Sequence, residues 1–293
     1  MLSWPMPSRP KLSCPVLTYH SQNISGNDYA HNDHVALRED LRMLRQAGRQ
    51  IVPLDWLLDV LDESRTGADL AQAVVLTFDD GCDFDVRDLD YPGHGNQRSF
   101  AGIMADHVEA TAKPGLRLHA TAFVIASREA RRVIDAASLF GRGWISDDWW
   151  RETDQRGHIA IENHGWDHNH PDLGHPDLGH PDLAHSELIC TQRGGFHAVE
   201  TEAQCLQQVV AAAGAIEAIT GRWPRYFAYP FGESSAYIRS EFFPQHTEAL
   251  GCRAALGTEP GPVTASSDRW NLPRYVCGRD WKSSQELLAL IEA

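Results

Sequence analysis

The stretch Val74-Val75-Leu76-Thr77-Phe78-Asp79-Asp80-Gly81 decides the fold, because an apolar run ends abruptly in two neighbouring carboxylates. Continuous apolar runs without alternation are typical of strands that are covered on both faces of a parallel sheet. Two carboxylates at the end of such a strand raise each other's cost of ionisation unless a cation lies beside them. The stretch therefore predicts a buried parallel strand that ends next to a positively charged group.

Similar apolar runs recur along the chain and alternate with helical patterns. The runs are Pro15–Tyr19, Gln50–Leu54, Val74–Phe78, Thr121–Ala126, His158–Ile161, Tyr226–Tyr229, Arg253–Leu256 and Leu272–Cys277. Helices are predicted at His34–Gly48, at Thr201–Thr220, which opens with a Thr201-x-x-Gln204 capping box, and after Ser283-x-x-Glu286. This alternation predicts an α/β fold, a distorted parallel (β/α) barrel of seven or eight strands, with an open doubly wound sheet as the alternative. No linker is evident, so one domain over residues 1–293, with a core of about 15–290, is expected.

The charge of the chain limits its partners. Its 293 residues include 26 Lys and Arg against 40 Asp and Glu, a formal net charge of −14. A polyanion would be repelled, so nucleic acid and anionic membrane surfaces are not expected partners. No run of roughly 18 apolar residues suggests a membrane span, and the N-terminus has no apolar segment like that of a signal peptide. A cytoplasmic location is therefore expected, with an exported protein as the alternative if the sequence is truncated. The sequence gives no indication of oligomeric state.

A second group of chemically useful side chains follows another apolar run. Ile159-Ala160-Ile161 is followed closely by His164 and His168. In a parallel barrel the carboxyl ends of the strands share one face, so these imidazoles and the Asp pair are expected to meet there. One carboxylate and two imidazoles are a common ligand set for catalytic zinc, with one position left for water. His170 is an alternative to His168 as the second imidazole.

Three motifs together resemble those of the polysaccharide deacetylases, the NodB-homology family or carbohydrate esterase family four. They are Thr77–Gly81, His164-x-x-x-His168 and Arg225-Tyr-Phe-Ala-Tyr-Pro-Phe-Gly232, in the order in which the family has them. The resemblance spans at least residues 15–275. It implies a NodB-like barrel and the metal-dependent removal of N-acetyl groups from a hexosamine-containing polysaccharide or oligosaccharide.

The resemblance implies roles for the matching residues. Asp80, His164 and His168 would hold one divalent ion, with Zn²⁺ expected and Co²⁺ or Ni²⁺ as alternatives. Asp79 would be the general base that takes a proton from the attacking water, and Arg225 would tune its pKa.

The third and fourth motifs would supply the remaining substrate contacts. The backbone N–H of Tyr229 would donate to the oxyanion of the tetrahedral intermediate, and Pro230 is assigned to substrate binding. The candidate for the fourth motif is 267–274. Within it, Trp270 would form a wall of the acetyl pocket and Asp268 would hold the arginine of the third motif; a Trp packed in the core before a strand is the alternative.

The general acid is expected at the opposite end of the chain from its usual place. The family's last motif ends in a histidine near the C-terminus, but no histidine follows Cys277. An apolar strand instead ends in His20, which resembles the circularly permuted branch of the family. In a closed barrel the first and last strands are neighbours, so His20 is predicted to donate the proton to the leaving amine.

Two polar segments interrupt the alternation. Asp83–Phe100 is predicted to be an irregular loop over the mouth of the barrel. The other segment is a repeat, His170-Pro-Asp-Leu-Gly, His175-Pro-Asp-Leu-Gly, His180-Pro-Asp-Leu-Ala and His185, in which proline every five residues forbids a continuous helix. It is either a duplicated, solvated surface segment or a second metal-loading or substrate-gripping loop.

Three functions are compatible with these observations. The first is the deacetylation of a carbohydrate, the second is the same mechanism on a small non-carbohydrate amide or imide, and the third is non-catalytic binding of a glycan or metal. The third has no use for Asp79, which the ion does not need. An intact base beside an intact ligand set therefore favours an enzyme, a hydrolase of linear amide bonds.

Overall fold

A curled, mostly parallel sheet organises the protein. The structure, a computed structural model, describes residues 12–111, 117–174 and 194–292. The strands are β1 Val16–Tyr19, β2 Gln50–Ile51, β3 Ala73–Phe78, β4 Leu89–Tyr91, β5 Gly95–Gln97, β6 Ala120–Val124, β7 Ile159–Asn163, β8 Tyr226–Ala228, β9 Ala254–Leu256 and β10 Tyr275–Val276. All eight predicted strands are present; six are shorter than predicted by one to four residues, and β3 and β7 are each one residue longer.

Helices connect most of the strands and cover the sheet. They are α1 Asp33–Gln46, α2 Leu54–Leu61, α3 Phe100–Thr111, α4 Arg128–Ser138, α5 Trp150–Arg156, α6 Glu202–Cys205, α7 Ala212–Thr220, α8 Phe243–Leu250 and α9 Ser284–Glu292. A π-helical turn, Leu206–Ala211, joins α6 to α7. The predicted capping box is confirmed, because Thr201 accepts from the Gln204 N–H while the Gln204 side chain accepts from the N-cap backbone. None of the described helices has the length and apolar character needed to cross a membrane.

The strand order is β10-β1-β3-β6-β7-β8-β9, with β2 paired to β3 as a side branch. All of these pairings are parallel. Seven strands thus form a curled half-barrel, which confirms the predicted α/β barrel class. Because parallel strands point the same way, the ends of β1, β3 and β7 lie at one rim.

The first strand lies between the third and the last. Leu17 of β1 pairs with Leu76 of β3 on one side and with Tyr275 of β10 on the other. The prediction that the first and last strands are neighbours is therefore confirmed. Since His20 directly follows β1, its place in the sheet is the rim where β3 ends.

The segment Asp83–Phe100 is not an irregular loop, as the sequence indicated. It contains a short antiparallel hairpin in which Leu89 of β4 pairs with Gln97 of β5. Each strand has only three residues, and most of them are polar and partly exposed, so no apolar alternation marked them. The repeat from His175 onward, including His180 and His185, lies outside the described residues.

Helix α1 shows how the outer layer is fixed. Leu37, Leu41 and Leu44 recur at helical spacing and are at most 1% exposed. They pack in one apolar cluster with Leu76 and Phe78 of β3. Truncating one such leucine to alanine typically costs about 2–5 kcal/mol. This packing holds β3, and with it the Asp pair, in place.

Candidate active site

The Asp pair stands on a sharp turn directly after β3. The Asp79 N–H donates to the carbonyl of Tyr19 at 3.1 Å, which extends the pairing with β1 by one residue. Asp80 and Gly81 then adopt left-handed conformations, with φ of 74° and 71°. A side chain at position 81 would lie 2.8 Å from Val124, so only glycine fits there. The turn lets the two adjacent carboxylates contact different partners.

Asp80, His164 and His168 converge on one point. Their candidate ligand atoms all lie within 4.8 Å of one another. Asp80 Oδ1 is 3.4 Å from His164 Nε2 and 3.2 Å from His168 Nε2. Ligand atoms about 2.0–2.1 Å from a tetrahedral centre are about 3.3 Å apart. The residues present therefore fit a divalent ion of zinc's size.

Neighbouring groups orient these three side chains. His164 Nδ1 lies 2.9 Å from the Ala228 carbonyl, so Nδ1 carries the proton and the lone pair of Nε2 faces Asp80. The side-chain amide of Gln22 donates to Asp80 Oδ2. In the loop before His168, Gln208 Nε2 donates to Asp167 Oδ1 at 2.6 Å. Gln208 belongs to the π-helical turn, a feature that often occurs at functional sites.

Asp79 is held by Arg274 instead of by a ligand contact. Arg274 Nη1 and Nη2 donate to the two carboxylate oxygens of Asp79 at 2.8 and 2.9 Å. Both side chains are buried, at 0% and 4% exposure. Burial raises the pKa of Asp79, but the Arg274 guanidinium outweighs it, so the pKa lies below its usual value. Arg274 is therefore the predicted positive group beside the Asp pair, and it keeps Asp79 ionised.

The expected role of Arg225 is wrong. Its guanidinium donates to Asp55 of α2 at 2.6 Å and is 41% exposed. Arg225 precedes β8, at the end of the sheet opposite to the Asp pair. Its side chain therefore ties β8 to α2, and Asp79 receives its cation from Arg274.

Three further residues do not have the contacts that the resemblance implied. The backbone N–H of Tyr229 donates to the Leu256 carbonyl at 2.9 Å, so it is occupied within the sheet. Asp268 accepts from the Trp270 N–H at 2.9 Å and closes a local turn, with no bond to Arg225. Trp270 stacks on Phe243 at 5.0 Å in an apolar cluster and does not line the cavity over the ligand set. Pro230 is buried and does not line that cavity either.

A cavity of about 320 Å³ opens over the ligand set. Asp79, Asp80 and the two ligand histidines line this cavity. Four aliphatic side chains form an apolar wall: Ile125, Ile134, Leu139 and Ile145. Other lining residues are His20, Gln22, His170, Phe231, Thr258 and Arg279. The apolar wall offers a methyl group the environment that was expected from Trp270.

His20 lies where the strand order places it. It lines the same cavity as Asp79 and the ligand set. Its backbone N–H donates to Asp33 Oδ2 at 2.8 Å, while its Nδ1 is buried without a hydrogen-bond partner. An imidazole that lines a cavity and has an unsatisfied nitrogen is free to bond to a ligand. Asp33, which accepts from the His20 backbone, is itself buried, and this burial raises the pKa of its carboxyl to about 6.

The chain belongs to the polysaccharide deacetylase family. A sequence model of that family, described as polysaccharide deacetylase, matches residues 66–242. A comparison with curated proteins found no match.

Solved structures share the fold. A polysaccharide deacetylase from Bacillus cereus has a TM-score of 0.58 and 15% identity, with 96% of this chain and 69% of that chain covered. The deacetylase PplD of Streptococcus pyogenes, solved in complex with acetate, has a TM-score of 0.60 and 15% identity, covering 97% and 100%. IcaB from Ammonifex degensii has a TM-score of 0.60 and 17% identity, covering 96% and 97%.

Some residues of the site were not singled out from the sequence. Arg274 lies inside the predicted fourth motif, but the resemblance assigned roles there only to Asp268 and Trp270. Gln22 follows His20 by two residues, and its contact with Asp80 depends on a turn after β1. The apolar wall gave no signal, because isoleucine and leucine are ordinary core residues.

Proposed function

We propose that the protein is a metal-dependent hydrolase that removes N-acetyl groups from a hexosamine-containing glycan. The observation that supports it most is the pairing of two carboxylates with separate tasks. Asp80 faces two imidazoles, while Asp79 is buried, neutralised by Arg274 and open to the same cavity. A binding protein has no need for the second carboxylate.

The side chains divide the chemistry between them. Asp80, His164 and His168 would hold the ion, which when bound polarises the acetyl carbonyl and makes water more acidic. Asp79 takes the proton from the attacking water, and Arg274 holds the carboxylate in position for that transfer. The apolar wall around Ile125 and Leu139 receives the acetyl methyl group and excludes competing water.

The donor to the oxyanion is expected in the turn after Tyr229. Pro230 has no N–H, and the amides of Gly232 and Glu233 donate within the turn itself. Phe231 lies between them in a left-handed conformation, with φ of 58°, and lines the cavity. The Phe231 amide therefore replaces that of Tyr229 as the candidate donor.

His20 is the proposed general acid. The amine leaves poorly unless it is protonated, and His20 is the imidazole of the cavity that lies outside both the ligand set and the loop that follows it. Its strand neighbours that of Asp79 in the sheet, so the acid and the base stand on adjacent strand ends.

Substitution of the ligand set tests the ion directly. We expect Asp80→Ala and His164→Ala to lose the bound ion, because a site needs its three protein ligands. Metal content per chain, measured by mass spectrometry after dialysis, gives the result. His170→Ala is the matched control, since His170 lines the cavity outside the set, and it should keep about one ion per chain. Retention by Asp80→Ala together with loss by His170→Ala would show that the ligand set is wrong.

The role of His20 predicts a dependence on the leaving group. His20→Ala should keep the ion and lower kcat on an N-acetyl substrate by roughly 10²–10⁴-fold, the usual effect of a lost general acid. For an acetate ester with a good leaving group, kcat should fall much less, since that leaving group departs without being protonated. Initial rates on both substrates measure the difference. Equal losses on the two substrates would argue against an acid role.

The substrate class is tested by product release. Acetate should appear when the metal-loaded chain is incubated with N-acetylglucosamine oligomers, and Asp80→Ala should release none. Release from small non-carbohydrate amides or imides, with none from any oligomer, would assign the same mechanism to the alternative substrate class.

A further inference from the structure

Two exposed phenylalanines stand out among the apolar side chains. In the described part of the chain three large apolar side chains are exposed: Phe140 at 57%, Phe231 at 45% and Leu206 at 42%. Phe140 and Phe231 also have left-handed backbones, with φ of 65° and 58°. The backbone of a residue other than glycine rarely adopts that conformation unless its surroundings impose it. Residues in this conformation concentrate at functional sites. Strain and exposure together single out these two rings.

Most of the described non-glycine residues with positive φ lie in or next to the active site, and Glu63, just after α2, is the exception. Asp80 and His168 of the ligand set also have positive φ, and Asn169 directly follows His168. Phe231 lines the cavity, with its ring 4.4 Å from the His168 ring. Phe140 directly follows Leu139, which lines the cavity together with Ser138. The Phe140 ring contacts Tyr91 and Trp144, which belong to the same apolar cluster as the wall residues Ile125 and Leu139.

A rigid aromatic base supports the Phe140 ring. Its ring meets Tyr91 edge-on at 5.6 Å and Trp144 edge-on at 6.5 Å. Tyr91 and Trp144 are each 9% exposed and stack on each other at 6.0 Å. Trp144 in turn packs on the fully buried Phe84 at 5.0 Å. The base is buried, so only Phe140 presents a large area to solvent.

We propose that Phe140 is a sugar-stacking position that binds a pyranose ring of the glycan beyond the one being deacetylated. A pyranose has one face of C–H groups, which packs well on an aromatic ring, and Phe140 offers a ring already fixed by its neighbours. An exposed, strained ring has no such use in an enzyme of small amides. This inference rests on the proposed function and adds a preference for oligomers over single sugars.

The preference is tested by chain-length dependence. Phe140→Ala should raise KM for an N-acetylglucosamine hexamer by roughly three- to tenfold, the size of one aromatic contact, with kcat little changed. Rates on a single acetylated sugar should stay the same. Phe140→Trp should keep the affinity for the hexamer. Leu206→Ala changes another exposed apolar side chain, which does not line the cavity, and should match the wild type. A similar change on the hexamer and on the single sugar would overturn the proposal.

A binding measurement separates this inference from the proposed activity. Calorimetry of the hexamer with the full-length Asp79→Asn chain should give a dissociation constant that rises three- to tenfold when Phe140→Ala is added. Such a rise supports the stacking position even if the wild type releases no acetate, in which case only the proposed activity fails. Equal dissociation constants, or no binding of the hexamer to either chain, would overturn the stacking position.

Discussion

Asp79→Asn is expected to keep one bound ion and to lower kcat by roughly 10²–10⁴-fold, the usual effect of losing a general base. The amide keeps the shape of the carboxylate and can still contact Arg274, but it cannot accept the proton from water. The ligand set is untouched, because Asp80 contacts the two imidazoles without help from Asp79. Turnover of an acetylated oligomer and metal content per chain should be measured on the same preparation.

Asp85 provides the control for this substitution. It is fully buried, and burial raises the pKa of its carboxyl well above the usual range. Asp85 does not line the cavity, so the isosteric exchange Asp85→Asn should change turnover little. A normal rate for Asp79→Asn with full metal content would show that Asp79 is not the base.

Arg274→Met is expected to destabilise the protein by about 3–5 kcal/mol at pH 7, because it leaves a buried carboxylate without its partner. In the wild type the guanidinium holds the pKa of Asp79 below its usual value. Without it, burial is opposed only by the imidazoles of His164 and His20, so that pKa rises. The effect of Asp79 ionisation on the free energy of unfolding then changes sign. In the wild type this ionisation adds stability above about pH 4, whereas in the variant it removes stability as the pH rises. The difference in the free energy of unfolding between the wild type and Arg274→Met should grow from pH 4 to pH 7. Urea unfolding in the presence of a chelator measures it.

The same variant should change the pH dependence of turnover. A higher pKa of Asp79 means that the base becomes ionised at a higher pH, so the rising limb of the pH profile should move to higher pH. Adding Asp79→Asn to Arg274→Met should recover part of the lost stability, since the unpaired charge is gone.

Arg225→Met is the matched control for Arg274→Met. Its ion pair with Asp55 is partly exposed, and such pairs contribute only about 0–1 kcal/mol. Turnover and its pH profile should remain those of the wild type. A shift of the profile in Arg225→Met, with none in Arg274→Met, would return the tuning role to Arg225.

Local sequence determined the strands and the position of the ligand residues. The strands of the parallel sheet lie in continuous apolar runs, because both faces of such a sheet are buried, and this pattern is visible without the fold. Asp80 and His164 follow such runs directly, and parallel strands bring their carboxyl ends to one rim. The convergence of these residues with His168 therefore follows from strand ends and topology. The prediction that β1 and β10 are neighbours followed from the absence of a histidine after Cys277, which pointed to a permuted order of strands.

Tertiary structure alone decided which side chains reach Asp79. Arg225 and Arg274 both precede short strands, and the sequence does not distinguish them. The Arg225 side chain runs to Asp55 of α2 at the opposite end of the sheet, whereas Arg274 is fully buried and bonds to the Gly257 carbonyl on its way to Asp79. Direction and depth of a long side chain depend on the curvature of the whole sheet. The same is true of Phe140, whose exposure arises from a left-handed backbone and from Tyr91 and Trp144 packed beside it. The sequence thus determined the proposed ligand set and the proposed base, while the folded sheet determined the cation beside Asp79 and the exposed ring that we propose for glycan binding.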